Sequence, residues 1–127
     1  MAGPLEAVAR EFITSLDALD INGLVGVLAD DVEGVEEISR QWLRGREAVE
    51  GYVRELVTQV SEVHSELRDV NERSWGDVGA VTAWLDQTYM YEGQQVRISA
   101  PTTLLFRRVE NDWKLALFHS VPLPEQG

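Results

Sequence analysis

Val78–Tyr91 (VGAVTAWLDQTYMY), Gln95–Val109 (QVRISAPTTLLFRRV) and Trp113–Val121 (WKLALFHSV) follow one another with only Glu92-Gly93-Gln94 and Glu110-Asn111-Asp112 between them. Long runs rich in β-branched and aromatic residues, separated by short polar segments, read as antiparallel hairpins. About sixty residues of helical pattern precede them. Helices placed ahead of a meander segregate to one face of the antiparallel sheet, an α+β arrangement. Such an arrangement leaves a pocket between helices and sheet, and a function is expected there.

Working back from the meander, the turn Trp75-Gly76-Asp77 ends an irregular strand over Glu62–Ser74. Before it, Val49, Tyr52, Val53, Leu56, Val57 and Val60 recur on one side of a helix from about Arg46 to Val60. Asp30–Arg44 has no clear period and reads as a short strand followed by a loop. Asp20 is a plausible N-cap for a short helix through Leu24, Val27 and Leu28, weakened by Gly23 and Gly26. At the start, Leu5, Val8, Phe12, Leu16 and Leu19 recur at helical spacing, with Ala9 and Ile13 widening the stripe. Residues 4–19 therefore form an amphipathic helix, with Pro4 in its first turn.

The 127 residues suffice for one domain (1–127) with a single core. The absence of cysteine excludes disulfides and thiolate metal sites. A net charge of −11 repels phosphate backbones and anionic lipid, so neither nucleic acid nor membrane is an expected partner. No basic stretch followed by an apolar run opens the chain, and a cytoplasmic location is the expectation.

Three local cues occur in order: Leu28-Ala29-Asp30-Asp31 closing the second helix, Arg44-Gly45-Arg46-Glu47-Ala48-Val49 opening the third, and Ala100-Pro101 within a late strand. With the order helix, helix, short strand, helix, four strands, the chain resembles the nuclear transport factor 2-like superfamily over nearly its whole length. SnoaL-like and ketosteroid-isomerase-like members are the most similar in pattern. The ending Trp113-Lys114-Leu115-Ala116-Leu117-Phe118-His119-Ser120 also resembles the last strand of the calcium/calmodulin-dependent kinase association domain. The resemblance implies a cystatin-like cone, a curved antiparallel sheet wrapped around a long N-terminal helix.

Ketosteroid isomerases use a carboxylate base and two oxyanion donors, a tyrosine and a protonated aspartate. The resemblance places Glu36 at the base position. The tyrosine position falls on Phe12, which has no hydroxyl, and the aspartate position on or near Thr103, a weaker donor. Losing one such donor typically costs on the order of a hundredfold in rate, which argues against steroid isomerase activity. What stays is a carboxylate base candidate in an apolar pocket, the minimum that SnoaL-like cyclases resemble. Phe12, Trp42 and Phe118 are the expected pocket-shaping aromatics, Trp42 because the Ser39–Arg44 stretch would cap the mouth of the cone.

The acidic run Asp30, Asp31, Glu33, Glu36 and Glu37 lacks calcium-loop spacing, and His64 and His119 suggest no third ligand, so neither metal nor cofactor is expected. Strand alternation puts Ala116, Phe118 and Ser120 inside the cone and Trp113, Leu115, Leu117 and His119 outside it. So apolar an outer face needs cover. A homodimer through the outer sheet face is therefore expected, with His119 at the interface or its rim; Tyr89 and Tyr91 line either the pocket or that face. The leading expectation is an isomerase- or cyclase-type enzyme acting on a small apolar carbonyl compound, with Glu36 as base and Thr103 as polar partner. The alternative is a non-catalytic ligand-binding or assembly module.

Overall fold

Two-residue turns tie the last four strands together in the computed structural model, which describes residues 3–124. Strands β3 (Val60–Trp75), β4 (Val78–Tyr91), β5 (Gln94–Val109) and β6 (Asp112–Ser120) form the meander. Glu92 and Gly93 turn β4 into β5 with φ of 52° and 78°; Glu110 and Asn111 turn β5 into β6 with φ of 50° and 74°. Two successive positive φ values match the right-handed twist of the strands they join. Gln94 and Asp112 therefore already belong to strands.

Ahead of the meander lie α1 (Pro4–Asp17), α2 (Ile21–Gly26), β1 (Leu28–Glu36), β2 (Leu43–Arg44) and α3 (Arg46–Leu56). The sheet has the order β2-β1-β6-β5-β4-β3. All neighbours are antiparallel except β1 and β6, which run parallel. The Asp30–Arg44 stretch thus holds most of the nine-residue strand β1, which begins at Leu28, rather than a short strand. Its polar residues Asp30 and Asp31 face water, while Val32 and Gly34 are buried. Helix α2 stops at Gly26 and does not reach Leu28, which pairs with Leu115 across β6. The carbonyl of Val27 accepts from the Leu115 N–H at 2.7 Å, so the sheet claims the residues that helical spacing assigned to α2.

Bulges bend the sheet. In β3 the register slips between Ser61 and His64 and between Arg68 and Asn71, where Glu62 and Asp69 have φ of 51° and 57°. Between β5 and β6 the register slips at Ala116, because Leu117 pairs with Leu105 and Leu115 with Phe106. An extra residue reverses the side-chain alternation beyond it. Phe118 and Ser120 point inward as alternation predicts, but Leu115 is 0% exposed in the core and Trp113 packs against that core. The expected outer row of Trp113, Leu115, Leu117 and His119 therefore reduces to Leu117 and His119.

Helix α1 lies in the concavity. Leu5, Ala9 and Ile13, spaced by four residues, are buried in one cluster with Val81, Leu85, Leu104 and Phe106. Each such large side chain contributes roughly 1.5–3 kcal/mol on burial. The helix is also fastened to β3 at both ends. Gly3 offers no side-chain cap; instead the Glu72 carboxylate accepts from the Glu6 N–H at 2.7 Å. At the other end Asp17 accepts from the Ser65 N–H at 3.0 Å. A carboxylate at a helix N-terminus satisfies an orphan donor and favours the helix dipole. Glu72→Ala is expected to lower stability by about 1 kcal/mol, as loss of an N-cap does, read as a fall in the midpoint of thermal unfolding.

Candidate functional site

Between α1, α3 and the concave face of the sheet lies a cavity of about 140 Å³. Most of its wall is aliphatic or aromatic: Phe12, Ile13 and Leu16 from α1, Val53 and Leu56 from α3, Leu85, Ile98, Leu104 and Phe118 from the strands. The polar exceptions are Glu36, Glu37, Tyr52, Gln87, Tyr89, Thr102 and Ser120. No lysine, arginine or histidine is among the lining residues.

Glu36 reaches the cavity through the alternation of β1, two and four residues beyond the buried Gly34 and Val32. Its carboxylate closes a turn, one oxygen accepting from the Ile38 N–H at 2.8 Å and the other from the Ser39 N–H at 2.7 Å. A carboxylate offers about four lone-pair positions, so each oxygen keeps one for a further partner. Across the sheet Glu36 is paired with Ser120 and Ser120 with Thr102, a polar row over β1, β6 and β5. The Thr102 and Ser120 hydroxyls are 2.8 Å apart, and Thr102 also reaches the Ala100 carbonyl at 3.1 Å.

Phe12 and Phe118 line the cavity. Phe118 lies flat over Gly34, where a Cβ would run into its ring. Thr103 does not line it. It pairs with Thr82 and His119 on the convex side, and Thr102 takes the inward place, since a one-residue offset in a strand moves a side chain to the other face. Trp42 is also elsewhere. It is 48% exposed at the sheet's edge, its ring 6.4 Å from that of His119 and 5.7 Å from the Arg44 guanidinium. Strand β2 holds this segment beside β1 rather than over the cone's mouth.

Sequence reasoning passed over Tyr52 and Glu37 and left the side of Tyr89 open. The signal for Tyr52 was a polar tip inside the apolar stripe of α3; for Tyr89 it was shared parity with Leu85 and Gln87 on β4. The Tyr89 hydroxyl donates to Glu37 at 2.7 Å, and burial, then that bond and the Glu37 charge, push its pKa well above the usual tyrosine value. Burial and then the Glu36 charge push Tyr52 up likewise. The Tyr52 hydroxyl is shielded from solvent and stands beside the Glu36 carboxylate, which adds to the upward shift. Both phenols therefore stay protonated and serve as donors at neutral pH. Tyr89→Phe removes a charge-assisted bond and should cost about 1.5 kcal/mol, read by urea unfolding.

The fold recurs among known proteins. In solved structures the chain is similar to a protein of the NTF2-like family from Streptomyces avermitilis, provisionally described as a dehydratase, with a TM-score of 0.87 and 21% identity over 95% of each chain. It is similar too to a protein from Xanthomonas campestris, provisionally described as a calcium/calmodulin-dependent protein kinase II association domain, with a TM-score of 0.83, 17% identity and coverage of 99% and 95%. A ketosteroid isomerase-like protein from Erwinia carotovora atroseptica matches with a TM-score of 0.79 and 17% identity over 94% of each chain. At these identities the likeness is one of fold, the cystatin-like cone. No curated protein matches in sequence. The SnoaL-like domain model matches residues 5–124, and the chain belongs to that family.

Proposed function

We propose that this SnoaL-like domain takes a small, mostly apolar carbonyl compound into its concave cavity and uses Glu36 as a general base on it. The observation that carries the reading is a carboxylate fixed by two backbone N–H donors in the wall of a mostly apolar cavity. A carboxylate so held keeps its position while a lone pair meets the substrate, and positioned proton transfer typically contributes a hundredfold or more in rate, roughly 10²–10⁴. In the step proposed, the C–H bond beside the carbonyl breaks, its electron pair moves into the enolate, and the proton rests on Glu36 until it returns to carbon. The Ser120 and Thr102 hydroxyls, rather than Thr103, are the polar partners on the facing strands.

Size narrows the substrate. At about 140 Å³ the cavity lies well below the roughly 300 Å³ at which drug-sized pockets begin, which disfavours a steroid. With wild-type protein, α-deuteration of cyclohexanone in D2O, followed by NMR, should run faster than in buffer alone. Glu36→Gln, which keeps an acceptor for the turn, should cost about a hundredfold of that acceleration. No acceleration by the wild type would remove the enzyme reading and leave a ligand-binding module.

One observation favours an assembly role beside this. Trp42 and His119 meet on the side of the sheet where Leu117 also lies, a surface suited to a second copy of the chain. Sedimentation equilibrium should then find a dimer for the wild type and a monomer for Leu117→Glu; identical masses would refute it.

A further inference from the structure

The two helices that flank the cavity are buried at one end of it and half-exposed at the other. On α1, Ile13 is 8% exposed, while Leu16 and the following Leu19 are half-buried. On α3, Val49 is 3% exposed, while Leu56 and Val57 at its end are half-buried. All of these side chains line the cavity, so its mouth lies where α1 and α3 end. A small apolar cluster plugs that mouth: Val60, Val63 and Tyr89 from the sheet, with Leu19, Leu56 and Ile38 packed against them.

Ile38 comes from Glu37–Gln41, the segment between β1 and β2, which has no partner strand. Its hydrogen bonds are of two kinds. The Glu36 carboxylate accepts the Ile38 and Ser39 N–H groups, the Glu36 carbonyl accepts the Arg40 N–H at 3.0 Å, and the Glu37 carbonyl accepts the Arg40 Nε at 2.9 Å. These close within the turn and tie it to no other element. Among the described residues one bond crosses the mouth, from the Tyr89 hydroxyl on β4 to the Glu37 carboxylate at 2.7 Å.

We infer that Glu37–Gln41 is a door over the cavity mouth, hinged on β1 and β2 and latched by the Tyr89–Glu37 bond. The inference rests on the ligand-binding reading above for what passes through. Opening breaks one hydrogen bond and lifts one aliphatic side chain, Ile38, off the cluster. Helices α1 and α3 and the sheet keep their contacts. Segments with so few outward contacts open locally at well below the cost of unfolding. The hinge falls after Glu36, whose backbone is paired with Ser120, so the base stays in the sheet while the turn lifts.

Because the chain has no cysteine, a single one reports access to the cavity without any ligand. Val49→Cys, a change of similar volume deep in the cavity, is labelled with methyl methanethiosulfonate under native conditions and followed by mass spectrometry. It is combined in turn with Tyr89→Phe, Glu37→Ala, both together, and Glu72→Ala. Loss of a latch bond to a charged group should raise the labelling rate about tenfold. Tyr89→Phe and Glu37→Ala should act equally, and the pair no more than either, since both remove the same bond. The rise should be insensitive to low urea, because local opening exposes little surface. Glu72→Ala loosens α1 at its far end and weakens the fold by a similar amount, so it should change the rate less than about twofold. An unchanged rate in Tyr89→Phe overturns the inference. So does an equal rise in Glu72→Ala, a rise that follows urea as global unfolding does, or latch variants whose effects multiply. Cyclohexanone added to the labelling reaction reads the binding proposal separately. Protection of the cysteine supports that proposal and its absence removes it, while the door stands or falls on the ligand-free rates.

Discussion

Helix α1 is held across the concave face by carboxylate-to-backbone bonds at its two ends, and the rest of the molecule is arranged around that placement. Glu72 meets the first turn and Asp17 reaches Ser65, so both anchors lie on the single edge strand β3. With the helix tied along β3, the stripe Leu5, Ala9, Ile13 has to face the sheet, and the sheet has to curve to meet it. Bulges at Glu62, Asp69 and Ala116 supply that curvature. Gly79 serves the same packing, since a Cβ there would run into Leu5.

The cavity is what this geometry leaves over. Helix α3 closes one side with Tyr52, Val53 and Leu56, and β1, inserted parallel to β6, brings Glu36 to the inner surface. Gly34, two residues before it, makes room for the Phe118 ring. Glu36, Ser120 and Thr102 form one row where β1, β6 and β5 run side by side, with Tyr52 of α3 beside Glu36, while Gln87 and Tyr89 enter from β4.

Fold and site were legible to different degrees. The meander was plain because strand alternation and short turns are local, and Phe12, Phe118 and Glu36 line the cavity. Thr103 and Trp42 do not. Thr103 lies one residue from the inward-facing Thr102, because the count from Ala100-Pro101 carries no information about which face of β5 a residue takes. Trp42 depended on where a loop travels, and β2 pairing holds it at the sheet's edge. Leu115 and Trp113 moved inward because the bulge at Ala116 is defined by pairing with β5, which leaves no mark in the β6 sequence itself.

The amino-acid order alone determined the elements whose hydrogen bonds close within a few residues or across a tight turn: α1, α3, the hairpins, and the acidic, cysteine-free character that disfavours polyanionic partners. Tertiary structure decided what depends on partners distant in the chain. It turned Leu28–Glu36 into a parallel strand beside β6, set the parity of Thr102 against Thr103, and brought Tyr52 to Glu36 and Tyr89 to Glu37. Those contacts rest on register between strands and on the path of α3, and a side chain's neighbour across a sheet is fixed by pairing, not by its own sequence.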